Sequence, residues 1–96
     1  MELISLPGHE LVLKGLDDLA RGQESNEALL VSIGAPRLRQ AGIEVPEPLA
    51  SPEHRLYERL AAESADAAHS RYNALVRRLV SFERAADRLA RTTRAD

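Results

Sequence analysis

The sequence contains no cysteine and no tryptophan, and only three of its 96 residues are aromatic. Without cysteine, the chain can form neither disulfide bonds nor thiolate metal sites. It also has no run of about 18 apolar residues, the length that a transmembrane helix requires. Residues 1–7 lack the basic start and the long apolar stretch of a secretion signal. We therefore expect a cytoplasmic protein with no membrane association.

Leucine and alanine are the most abundant residues, with fifteen of each in the chain. Both favour helices, whereas strands favour β-branched and aromatic residues. A chain of 96 residues is long enough for one small hydrophobic core. The composition therefore predicts an all-α fold in a single helical domain over residues 1–96, with no strand required.

Glycine and proline divide this domain into three parts. Residues 1–42 are expected to hold short helices, because apolar residues recur there at helical spacing and glycines follow them. The apolar run Ala28–Ile33 fits either a helix or a buried strand, and its neighbours favour a helix that ends near Gly34. Pro36 then suits the start of a separate short helical piece. Residues 43–51 form a proline-rich linker.

Residues 52–92 are predicted to form one long C-terminal helix, since no glycine or proline follows Pro52 in this range. An unbroken heptad pattern runs along it. Nine apolar positions alternate at steps of four and three: Ala61, Ala65, Ala68, Tyr72, Leu75, Leu79, Phe82, Ala86 and Leu89. We call these nine residues the seam. As an alternative, Ser64 or Asp66 could cap a new helix and fold the long one into a hairpin.

The seam predicts a homodimer that forms a helical bundle through a coiled-coil contact. The helices before residue 42 are too short to cover a stripe of about 42 Å together with their own apolar faces. A lone chain would then leave seam residues in water, and a second copy would cover Leu75, Leu79, Phe82 and Leu89. Residues 1–69 carry a charge of −6 and residues 70–96 a charge of +4, which weakly favours an antiparallel pair and leaves a parallel one open.

The arginines suggest a second class of function. A dimeric regulator associated with nucleic acid could use Arg37, Arg39 or the C-terminal arginines, among them Arg77 and Arg78. A helix that reads DNA needs polar side chains beside its basic residues, but the remaining face here is leucine, valine and phenylalanine. We therefore expect a protein partner, of unstated identity, rather than nucleic acid.

The three histidines are the candidates for acid–base or metal chemistry. His54 with Glu58, and Asp66 with His69, are spaced to share a helix face. A dimetal bundle needs such a pair from two helices together with further glutamates in register, and that spacing is missing. We predict a non-catalytic interaction protein that self-associates through its C-terminal helix, with no metal and no cofactor.

Overall fold

The computed structural model describes residues 3–94, with side chains up to residue 92, and this part of the chain contains no strand. After a 3₁₀ turn at Leu3–Ser5, four α-helices follow: α1 (His9–Ala20), α2 (Asn26–Gln40), α3 (Pro52–Glu63) and α4 (Ala68–Arg94). The predicted all-α fold is confirmed for these residues.

A polar junction joins α1 and α2 into an antiparallel hairpin. The chain turns at Gly22 in the left-handed region, with φ of 70°. The Ser25 hydroxyl then accepts a hydrogen bond from the Ala28 amide and so caps the start of α2. The same hydroxyl donates to Asp18 at 2.6 Å, and Lys14 donates to Asp18 at 2.7 Å. Asp18 therefore ties the end of α1 to the start of α2.

Gly15 lets α1 and α2 approach each other closely. A Cβ at this position would lie 2.3 Å from the Glu27 carbonyl oxygen and 2.5 Å from a methyl group of Val31. Both distances are far shorter than van der Waals contact, so only glycine fits here. The close approach places Val12 and Val31 in the fully buried core.

The helix α2 is continuous, which confirms the helical interpretation of Ala28–Ile33 and shows that the predicted end near Gly34 is wrong. Pro36 lies inside α2 and is exposed. It removes the hydrogen bond that its amide would have donated to the Ser32 carbonyl. The helix continues because Leu38, in the turn that follows, is completely buried, and burial of a leucine is worth about 1.5–3 kcal/mol.

The predicted continuous helix over residues 52–92 is also wrong, because the chain folds back between α3 and α4. Ser64 has extended backbone angles (φ −161°, ψ 105°), and residues 64–67 form the turn. Arg71 donates to Glu63 at 2.7 Å across this turn. The rings of Tyr57 and Tyr72 lie 5.9 Å apart between the two helices. Folding back lets α3 bury Leu56 and Leu60, which are fully buried, within the same chain.

The helices α2 and α4 run side by side in the same direction. Leu30 and Leu75 line one crevice near their N-terminal ends, and Gly34 faces Leu79 further along. The linker is fastened to α2 by the buried Ser32 hydroxyl, which accepts from the Leu49 amide at 3.0 Å. The largest fully buried side chains come from all four helices: Val12, Leu29, Leu30, Val31, Leu38, Leu56, Leu60 and Phe82.

Candidate functional site

The seam residues divide between the core and the surface of a single chain. Ala68, Leu79, Phe82 and Ala86 are buried; Ala61, Tyr72, Leu75 and Leu89 are half-buried; Ala65 lies exposed in the turn before α4. The expectation that a lone chain leaves Leu79 and Phe82 in water is wrong, since their exposed fractions are 2% and 0%. The other helices of the same chain cover the middle of the seam, because α2 continues through Pro36 and α3 folds back along α4. Together they provide enough length.

Two of the four arginines that the sequence singled out have structural roles. Arg39 donates to the Val45 carbonyl at 3.0 Å and so holds the linker against α2. Arg78 donates to Glu10 at 3.2 Å and joins α4 to α1. Arg77 is exposed on α4 beside Gly8, away from the end of α2. Of the four, Arg37 lies beside Arg84, Arg88 and Arg91, the later arginines of α4.

Arg37 meets these arginines in a groove of about 380 Å³ between the end of α2 and the later turns of α4. We call it the arginine groove; its lining residues are Arg37, Arg84, Asp87, Arg88, Arg91 and Thr92. The α4 arginines are spaced four and three residues apart and therefore share one helix face. Arg37 stands in the last turn of α2, where a cation interacts favourably with the helix dipole.

The lining of the arginine groove is strongly positive. Among the lining side chains that the structure describes, four guanidinium groups face the carboxylate of Asp87, which pairs with Arg91. Within residues 3–92, Arg37, Arg84 and Arg88 are exposed and none of their guanidinium groups has a carboxylate within 4 Å. Each guanidinium offers a planar set of N–H donors that matches the two oxygens of a carboxylate or a phosphate. The groove can therefore bind an anionic group.

Glu83 is a buried acidic residue behind this groove, and sequence reasoning missed it. Its exposed fraction is 7%, and a Cβ at Gly34 would lie 2.6 Å from its Oε2 atom. Burial raises the pKa of this carboxyl group, and the nearby positive charge of Arg37 opposes the rise. Within the described side chains it has no hydrogen bond and no ion pair. An acidic residue next to Phe82 in sequence is expected at the surface. That Gly34 faces it across the interface of α2 and α4 could not be identified from the sequence.

The histidines lie at separate places on the molecule. His54 faces Glu58 at 3.5 Å on the exposed side of α3, as their spacing predicts. His69 contacts Asn73 at 3.2 Å, also on an exposed face. Among the described residues, no group of three or more possible ligands is placed to hold a metal ion. The two carboxylate–histidine pairs considered from the sequence therefore do not converge on one centre.

No protein-family model matches this chain, and neither a curated protein nor a solved structure matches it. The helices within residues 3–94 include none that is long and apolar enough to cross a membrane.

Proposed function

We propose that the protein is a small, non-catalytic helical interaction module that binds an acidic segment of another protein in the arginine groove. The observation that supports this proposal is the meeting of four guanidinium groups from two helices around the carboxylate of Asp87, within the part of the groove that the structure describes. Charge-assisted hydrogen bonds from arginine to carboxylate are roughly twice as strong as neutral ones. The groove therefore offers an acidic segment several such bonds at once.

The size of the arginine groove favours a short peptide segment. Arg84 and Arg91 are seven residues apart, which is about 10 Å along the helix. An extended peptide covers this distance in about three residues. An exposed ion pair contributes only about 0.2–1 kcal/mol by itself, so we expect modest affinity that depends on several arginines acting together and that weakens as salt is added.

The same dimensions argue against the alternative function, a regulator that binds nucleic acid. The electrostatic part of duplex binding grows with the number of phosphates that lysine and arginine neutralise, and a groove of about 10 Å reaches few phosphates. Arg39 and Arg78 are held by other groups of the chain, and Asp87 places a negative charge in the groove. We therefore expect duplex DNA to bind no tighter than about 10⁻⁴ to 10⁻⁶ M, the non-specific range.

We also propose that the half-buried edge of the seam mediates homodimer formation. Leu75 and Leu89 stay partly exposed on α4, and their burial by a second copy would release apolar surface from water. The contact would be smaller than the one expected from the sequence, because Leu79 and Phe82 already lie in the core. Sedimentation at tens of micromolar tests this proposal, and a monomer there would contradict it.

Binding to a labelled hexaglutamate peptide, followed by fluorescence anisotropy, tests the proposed function. We expect Arg84→Glu together with Arg88→Glu to weaken binding by about tenfold or more, since two attractive charges become repulsive. Arg77→Glu is the matched control for Arg84→Glu alone, because each makes one charge reversal on α4 and Arg77 lies outside the groove. A hexaglutamine peptide should not bind.

Two results would count against this proposal. If Arg77→Glu weakened binding as much as a single reversal inside the groove, the peptide would be responding to the general charge of α4. If duplex DNA bound more tightly than the acidic peptide at equal salt, the nucleic-acid alternative would take its place.

A further inference from the structure

We propose that Glu83 is a proton-linked counter-charge of the arginine groove, so that binding of an acidic segment is accompanied by proton uptake at its carboxyl group. This inference rests on the proposed function and adds a regulation by pH to the same site. The geometry that carries it is a largely buried carboxyl group that has no hydrogen bond or ion pair among the described side chains and that lies against Gly34, one helical turn before Arg37.

The position of Glu83 couples it to the groove through α2. Its Oε2 atom lies against Gly34, and Arg37 follows Gly34 by three residues, which places both on the same face of α2. On α4, Arg84 comes directly after Glu83, and Asp87 lies one turn further on. A group bound between Arg37 and Arg84 would therefore lie close to the buried carboxyl group.

The charged groups around Glu83 are few. From α2 the facing charge is Arg37, whose field acts on this carboxyl group. From α4 the neighbouring charges are the groove residues Arg84, Asp87 and Arg88. The charges of α1 are engaged elsewhere, with Glu10 paired to Arg78 and Lys14 paired to Asp18.

No histidine contacts the groove among the described residues. His9 contacts the Leu6 carbonyl and Glu10, His54 contacts Glu58, and His69 contacts Asn73. The three imidazoles therefore lie away from Arg37 and from the later turns of α4. Glu83 is the buried carboxyl group that faces the groove from the helix interface.

Two opposing influences act on the Glu83 proton in the empty groove. Burial favours the neutral acid, and the positive charge of Arg37 favours the carboxylate. An acidic segment in the groove would screen Arg37 and bring negative charge near Glu83. Both changes favour the protonated form, so binding would raise the pKa of Glu83 further.

The coupling is reciprocal, because two linked equilibria change each other's affinity by the same factor. Protonation of Glu83 removes a negative charge behind the groove and leaves Arg37 free to attract the partner. Affinity for an acidic segment should therefore rise as the pH falls through the pKa of Glu83. It should level off once the carboxyl group is protonated in both the free and the bound protein.

The test uses the full chain and a peptide of cysteic acid residues, whose sulfonates keep their charge throughout the measured range. We expect its affinity for the wild-type protein to rise by about fivefold or more between neutral pH and the lowest pH at which the protein stays folded, at constant ionic strength. Glu83→Gln should bind tightly at both pH values, because the amide imitates the protonated acid. It keeps all three histidines and so controls for their titration.

Asp87→Asn is a second control, since it also removes one acidic charge from α4 but from a half-buried position that is paired with Arg91. We expect it to raise affinity at both pH values and to keep the wild-type ratio between them. Calorimetry in two buffers of different ionisation enthalpy measures proton uptake by the wild-type protein directly. Uptake on binding would support the inference without relying on any variant.

The possible outcomes separate this inference from the proposed function. Equal wild-type affinity at both pH values, no proton uptake, or an unchanged pH ratio in Glu83→Gln would each overturn the role of Glu83 while leaving peptide binding established. Failure of the wild-type protein to bind the peptide at either pH would overturn both proposals.

Discussion

Replacing Phe82 with alanine tests whether the middle of the seam is the core of one chain or an interface between two. Phe82 is fully buried in the single chain. Gly8, with φ of 78°, brings the start of α1 close to it, since a Cβ built at Gly8 would lie 3.7 Å from the Phe82 Cβ. The side chain therefore stabilises the fold of the single chain.

The expected loss of stability is large. Truncation of a fully buried phenylalanine to alanine costs about 3–5 kcal/mol, through lost apolar burial and the cavity that remains. A domain of this size has a free energy of unfolding of about 5–15 kcal/mol. At about 4 °C or more per kcal/mol for a small domain, the melting temperature should fall by at least about 12 °C. Leu89→Ala, at a half-buried seam position, should cost less than half as much.

Thermal unfolding followed by circular dichroism at two protein concentrations, about 100-fold apart, provides the measurement. A core residue of a monomer shifts the melting temperature equally at both concentrations, whereas a dimer makes stability depend on concentration. A loss below about 1 kcal/mol for Phe82→Ala, or a loss seen only at high concentration, would refute the packing described here. Equal losses for Phe82→Ala and Leu89→Ala would refute the difference in their burial.

Three further predictions concern stability. Gly15→Ala should lower the urea midpoint of unfolding, because the new Cβ would lie 2.3 Å from the Glu27 carbonyl oxygen. This clash outweighs a helix-propensity gain of about 1 kcal/mol. An unchanged midpoint would contradict the close approach of α1 and α2. Asp18→Asn should lower the melting temperature at neutral pH, and the deficit should shrink as the pH falls below about 4. The hydrogen bond from Lys14 lowers the pKa of Asp18. The ionised Asp18 carboxylate therefore stabilises the fold above its unfolded-state pKa, and this stabilisation is lost as the pH falls through its folded-state pKa. An undiminished deficit in melting temperature at about pH 3 would show that the carboxylate charge is unimportant. Glu83→Gln should raise the melting temperature at neutral pH and lose this advantage in acid. Burial raises the pKa of Glu83, and its ionised form destabilises the fold above that pKa. A lower melting temperature of the variant at neutral pH would mean that the ionised carboxylate is well accommodated.

The seam shows how far a sequence pattern can be taken. Apolar residues at steps of four and three correctly indicated that Leu79, Phe82 and Ala86 lie on a packed face of α4. The pattern does not state which helix covers that face. We assigned a second chain because the two early helices looked too short, but α2 continues through Pro36 and α3 folds back after Glu63. The longer α2 and the folded-back α3 both belong to the same chain, so no second chain is needed to cover that part of α4.

The candidate site was predictable only in part. Arg37 and the C-terminal arginines were already candidates for anion contact, but no spacing along the chain relates residue 37 to residues 84–91. Their proximity depends on the parallel packing of α2 and α4, which the contact of Gly34 with Leu79 and Glu83 sets. Glu83 was missed for the same reason, since its burial arises from the facing glycine.

The sequence by itself determined that the described chain is helical, and it indicated short helices followed by glycines before residue 42. These are local properties: leucine and alanine favour helices wherever they stand, and Gly22 ends α1 without reference to other segments. The tertiary structure decided the turn at residues 64–67, the continuity of α2 through Pro36 and the arginine groove. Each of these depends on the apolar area that distant segments bury together, a quantity that no local pattern of residues contains.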